Sequence, residues 1–232
     1  MSSLYSTQKI VFLTEYFEIY FPLKSLKHIT LNDTYKTIKS PSEGLFKDKG
    51  SKFLAFVYPF ENENELKKYL EPLRKEHFKA VHFCYAYRLG MDKTHFRIND
   101  DGEPSGSAGR PILNVLLSKE ITNVLVVVVR YWGGTLLGVP GLINAYKSAT
   151  EEAILSVEII EKTVNEVYRI TFAYVQMNDV MKVVKDFDLK IRNQQFDNQC
   201  VMEIEFRQSI APQVLGKLEK IEEVLVEFIK VI

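Results

Sequence analysis

The chain has 232 residues, 46% hydrophobic and 26% charged, with 30 basic residues against 30 acidic ones. These proportions fit an ordinary globular protein of one large or two small domains and exclude a mainly disordered chain. A net charge of zero argues against holding nucleic acid by bulk electrostatics alone, and the split of 20 basic against 17 acidic residues in 1–155 and 10 against 13 in 156–232 is too even to select a partner.

In chain order, residues 10–23, IVFLTEYFEIYFPL, are apolar but interrupted by Glu15, Glu18 and Pro22, and are shorter than the roughly 20 residues a membrane helix needs. They read as a non-membrane extension, 1–32, ahead of a domain at 33–157. Lys52–Phe60 alternates and predicts a strand. Glu61–Glu76, with Leu66, Leu70 and Leu73 at helical spacing and Asn62 or Asn64 as cap, predicts an amphipathic helix. Val81–Leu89 predicts a strand whose one face (Val81, Phe83, Tyr85, Tyr87) is core and whose other (His82, Cys84, Ala86, Arg88) carries the polar groups.

Thr94–Asn99 predicts the next strand of a hairpin, and Asn99–Arg110 a loop that opens a helix at about Pro111. Asn123–Tyr131 is apolar on both faces and β-branched, which predicts a central strand. A turn at Gly133 and Gly134 leads to a helix from about Val139 with Leu142, Ala145, Tyr146, Ala149 and Ala153 inward.

From residue 158 the pattern restarts as strand Thr163–Tyr174, helix Gln176–Phe187, strands Leu189–Phe196 and Cys200–Gln208, helix Pro212–Ile221 and strand Val224–Ile232. That βαββαβ order predicts a ferredoxin-like domain, 158–232, and an α+β fold overall.

The chemistry concentrates in two glycine-rich loops bracketing the central strand, where free amides at helix N-termini favour an anion. In NDDGEPSGSAGRP, Asp100, Asp101 and Glu103 suit acid–base work or a divalent cation, and Ser105, Ser107 and Arg110 suit a phosphate. The same residues equally suit an Asx turn with Ser107 as helix cap. In the second loop Arg130 precedes Tyr131, Trp132, Gly133 and Gly134, a cation, aromatic faces and amides together; alternatively Arg130 pairs with Asp100 or Asp101.

His82 is a candidate partner for the acids. Cys84 reads as a buried structural thiol, since residues two apart on a strand lie about 7 Å apart, too far for a direct proton relay. With two cysteines, no C-x-x-C pair and no signal-type start, the expectation is a reducing cytoplasm, no disulfide, no metal site and no cofactor. Phosphate-loop, nucleophile-elbow, zinc-protease and dinucleotide motifs do not occur.

The ordered segments KGSKFLAF, HFCYAYRLG, NDDGEPSGSAGRPIL, VVVVRYWGG and LGVPGLINAY resemble the signature of the Impact family, including its bacterial YigZ-type members, over residues 33–155. The resemblance implies a two-layer α/β sandwich similar to domain 2 of ribosomal protein S5, followed by the ferredoxin-like domain that bacterial members append. It also implies an association with translation, and so RNA, the ribosome or translation factors as partners. Eukaryotic relatives restrain an initiation-factor kinase through a further N-terminal domain, a mechanism not carried over to this chain. Val139, Pro140 and Asn144 depart from the more glycine-rich and basic second loop of relatives and make that loop less basic.

Three functions follow as expectations. One is a binding module using loops 99–110 and 130–141, with Arg110 and Arg130 for charge, Ser105 and Ser107 for hydrogen bonds and Trp132 for stacking. Another is an enzyme acting on a small phosphorylated or acyl group, with Asp100, Asp101 or Glu103 beside His82. The last uses the ferredoxin-like part as a protein-docking face.

Overall fold

A computed structural model describes residues 33–91, 93–197 and 199–232. The reading of residues 10–23 lies outside the described residues. Among the described residues no helix is long and apolar enough to cross a membrane.

Five antiparallel strands form the larger sheet: β2 (Ser42–Asp48), β3 (Ser51–Pro59), β4 (His82–Leu89), β5 (His95–Asn99) and β6 (Val124–Tyr131), in the order β2-β3-β6-β4-β5. The run of valines in β6 needs burial on both sides, and the central place supplies it. Val124, Val126 and Val128 face helices α2 (Gly109–Ser118) and α3 (Gly138–Leu155), while Leu125, Val127 and Val129 face helix α1 (Leu66–Glu76). Each such residue contributes about 1.5–3 kcal/mol of gross hydrophobic stabilisation.

The same coverage corrects the expectation for β4. Its second face is core as well: Cys84 and Ala86 are fully buried under α2 and α3. Arg88 is buried with its guanidinium donating to the Lys93 and Ile121 carbonyls. α2 begins at Gly109, two residues before the expected start, because the Asp100 carboxylate holds its first amides.

Ahead of this sheet, β1 (Thr34–Ile38) pairs antiparallel with β7 (Ile159–Thr163), a ribbon that the sequence reading lacked. The expected strand from Thr163 is divided at Val164, whose N–H donates to the Asp33 carbonyl and whose carbonyl accepts from Gln208. β8 (Asn165–Phe172), α4 (Met177–Asp186), β9 (Lys190–Phe196), β10 (Cys200–Arg207), α5 (Ala211–Leu218) and β11 (Leu225–Val231) then form a sheet in the order β11-β8-β10-β9. Ile170, Phe172, Met202 and Ile204 pack beneath Val180, Val184, Val214 and Leu218 of the two helices, the ferredoxin-like arrangement.

Candidate functional site

The two glycine-rich loops meet through a buried ion pair. Arg130 at the end of β6 donates from Nη1 to Glu103 Oε1 at 2.6 Å, and the side chains are only 7% and 3% exposed. Tyr146, projecting from α3, donates its hydroxyl to the same oxygen at 2.8 Å. Arg130 also lies over the Phe53 ring at 5.5 Å, and its Nε is buried without a partner. A carboxylate taken this far from water persists because two donors converge on it.

The neighbouring acids serve the backbone. Asp100 accepts from Ala108 and Gly109 N–H on Oδ1 and from Gly106 N–H on Oδ2, at 2.8 to 3.1 Å. The N-terminus of α2 is therefore already occupied by the chain's own anion, where the sequence suggested room for a ligand's. Asp101 has φ +41°, its N–H donating to the Asn99 side chain in an Asx-type turn. Its carboxylate accepts from Phe83 N–H at 2.7 Å and pairs with Arg74 at 3.0 Å.

The Asp101 carbonyl lies 2.7 Å from His82 Nδ1. Because a carbonyl can only accept, Nδ1 carries a proton, and Nε2 lies 3.9 Å from Glu103 Oε1. Cys84 Sγ lies 3.0 Å from the Asp100 carbonyl and 3.2 Å from the Tyr146 hydroxyl. Burial pushes the Cys84 thiol far above its ordinary range, and the acidic neighbours add to it. Burial, then Cys84 and Glu103, does the same to Tyr146, so both groups remain proton donors.

The structure thus brings His82, Asp100, Asp101, Glu103 and Arg130 together. Ser107 is buried and donates to the Pro104 carbonyl at 2.6 Å. Ser105 and Arg110 are exposed, and Arg110 has no ion-pair partner among the described residues. Trp132 is 57% exposed. Gly133 packs on the β2–β3 turn: a Cβ there would stand 2.0 Å from the Gly50 carbonyl carbon, and its N–H donates to Ser51 Oγ. Gly134 has φ +82° and open space around it.

Two members of the network, Tyr146 and Arg74, escaped the sequence reading. A tyrosine on an otherwise small, apolar helix face was the available signal, since a buried hydroxyl requires a partner. Arg74 is separated from Asp101 by 27 positions and gives no local signal.

The family model described as the Impact N-terminal domain matches residues 49–154, which contain both loops and all five of those converging residues. The chain is 30% identical over 153 residues to "IMPACT family member YvyE" of Bacillus subtilis, covering 66% of this chain and 70% of that protein. The chain belongs to the Impact family. It is likewise 33% identical over 150 residues to the family member YigZ of Escherichia coli, covering 64% of this chain and 74% of YigZ. A solved structure titled "Crystal structure of an hypothetical protein" aligns with a TM-score of 0.65 at 26% identity, over 86% of this chain and 99% of that one. The buried network therefore lies within the segment that matches the Impact N-terminal domain.

Proposed function

We propose that this Impact family chain is a cytoplasmic binding module of the translation machinery, contacting the ribosome, its RNA or a phosphorylated ligand through the surface of loops 99–110 and 130–141. One observation carries the reading: Asp100, Asp101, Glu103 and Arg130 are all engaged with the protein itself, whereas Ser105, Arg110, Trp132 and Gly134 face outward. The inner residues act as the frame and the outer ones as the contacts, with Arg110 offered to phosphate and Trp132 to a base. Association with translation rests on the family.

The test is co-sedimentation with ribosomes at matched salt. An Arg110→Ala, Trp132→Ala double variant is expected to lose most of the association while keeping the parent's thermal stability. Equal sedimentation of parent and variant would remove these loops as the contact.

A second reading, an enzyme acting on a small phosphorylated or acyl group, is favoured by His82 alone, whose Nε2 is held beside Glu103 and whose side chain is 24% exposed. It requires His82→Ala to abolish turnover in a screen of phosphoesters and thioesters. Absence of turnover in the parent under all conditions would end it.

A further inference from the structure

The last row of residues on the α1 side of the larger sheet breaks a rule of strand pairing. Lys47 of β2 stands directly opposite Lys52 of β3, and Lys52 stands opposite Tyr131 of β6, so all three share one face. Like charges facing each other across a ladder destabilise it, unless an anion lies between or over them. Asp48 does not serve, because strand alternation turns it to the other face. Glu43 lies further along β2, beside Tyr58.

Lys49 adds a third cation at the hairpin tip, in the left-handed region at φ +43° that turns normally give to Asn or Gly. Among the described residues none of Lys47, Lys49 and Lys52 has an ion-pair partner, although other lysines of the chain do. The tip is fixed in place: Gly50 and Gly133 touch through their backbones, and Ser51 Oγ holds Gly133 N–H at 3.1 Å. The exposed Trp132 lies between Tyr131 and the anchored Gly133, at the same end of the sheet as the hairpin tip. His77 Nδ1 lies 3.0 Å from the Tyr131 hydroxyl and sets that ring at the row's end.

The geometry points to a binding surface for single-stranded nucleic acid, with Lys47, Lys49 and Lys52 on successive phosphates and Trp132 stacking an unpaired base. Cations at strand spacing, at the same end of the sheet as an exposed tryptophan, are what a flexible phosphate chain with free bases requires. A duplex keeps its bases stacked inside and cannot use the indole. This deepens the translation reading by naming the chemistry of its partner and adding lysine contacts that neither loop contains.

The test titrates the full chain into a labelled oligouridylate of roughly 12 nucleotides, within the span of known single-strand sites, and into a duplex of equal length. Between about 50 and 200 mM salt the single strand is expected to bind more tightly than the duplex. Replacing Lys47, Lys49 and Lys52 with Gln makes the slope of log K against log salt shallower by about 2, from roughly 0.7 per phosphate on a single strand. Trp132→Ala weakens binding about 5- to 150-fold with the slope unchanged. Folding is not at risk in the triple variant, since it relieves a repulsion, and its urea midpoint should equal or exceed the parent's.

Equal binding of duplex and single strand, an unchanged slope in the triple variant, or no binding at low salt overturns the proposal. Ribosome sedimentation separates it from the broader reading. A parent that binds oligouridylate but not ribosomes sinks the translation role and leaves the lysine row standing. A parent that sediments with ribosomes through Arg110 and Trp132, with an unchanged slope in the triple variant, sinks the lysine row alone.

Discussion

Replacing Glu103 with Ala tests whether one buried charge pair holds the two loops together. The substitution removes at once the acceptor for Arg130 Nη1 and for the Tyr146 hydroxyl. Arg130 would then keep its charge in a site where its side chain is 7% exposed and its Nε already lacks a partner. Breaking such a pair from one side costs about 3–5 kcal/mol, because the surviving charge stays desolvated. At about 2–4 °C per kcal/mol for a chain of this size, the melting temperature should fall by about 6–20 °C. The double variant Glu103→Leu, Arg130→Met removes both charges and should recover most of that loss. Urea and thermal unfolding followed by circular dichroism measure the cycle. Trp132, the sole tryptophan and two residues from Arg130, reports by fluorescence whether the second loop loosens first. A Glu103→Ala variant within about 1 kcal/mol of the parent, or a double variant as unstable as the two singles summed, would refute the argument.

Gly133→Ala should cost about 2 kcal/mol or more, because the new Cβ meets the Gly50 backbone, which cannot rotate away. Gly134→Ala meets nothing and carries only the strain of a left-handed residue, about 1–2 kcal/mol, so a reversed order of the two melting temperatures would contradict the packing. Arg207 donates two hydrogen bonds to Asp33 and holds its carboxyl at about 2, below the ordinary 3.8. A depressed folded value stabilises the protein above the ordinary one and loses that contribution as pH falls towards 2. Asp33→Asn should therefore flatten the urea midpoint over that window, and a profile parallel to the parent's would exclude the pair. Cys84, buried and with its thiol pushed far up, should resist an aromatic disulfide reagent at mildly alkaline pH until denaturant is added, and prompt reaction of that residue in the native protein would contradict the packing.

Much of the fold could be read directly from side-chain pattern. The unbroken valine run of β6 required cover on both faces and so placed the strand at the sheet centre, and the βαββαβ rhythm after residue 158 indicated a ferredoxin-like unit, whose sheet runs β11-β8-β10-β9. Pattern fails where a short strand has no distinctive period: the β1–β7 ribbon is fixed by Val164 and Asp33 backbone groups that any side chains could supply. Binary patterning also assigned polar character to the second face of β4, yet Cys84 and Arg88 are buried there because α2 and α3 lie above them.

The residue types in the two loops were determined by the sequence alone: acids, glycines and serines in one, an arginine and a tryptophan in the other. Which acid meets which cation was decided only by the tertiary structure, since Glu103 and Arg130 are 27 positions apart and three carboxylates competed for one guanidinium. Asp100 and Asp101 were drawn instead to backbone amides within hydrogen-bond reach, at Gly106, Ala108, Gly109 and Phe83. Strand register likewise placed Lys47 opposite Lys52, a juxtaposition that depends on the length of the hairpin turn and that composition cannot express.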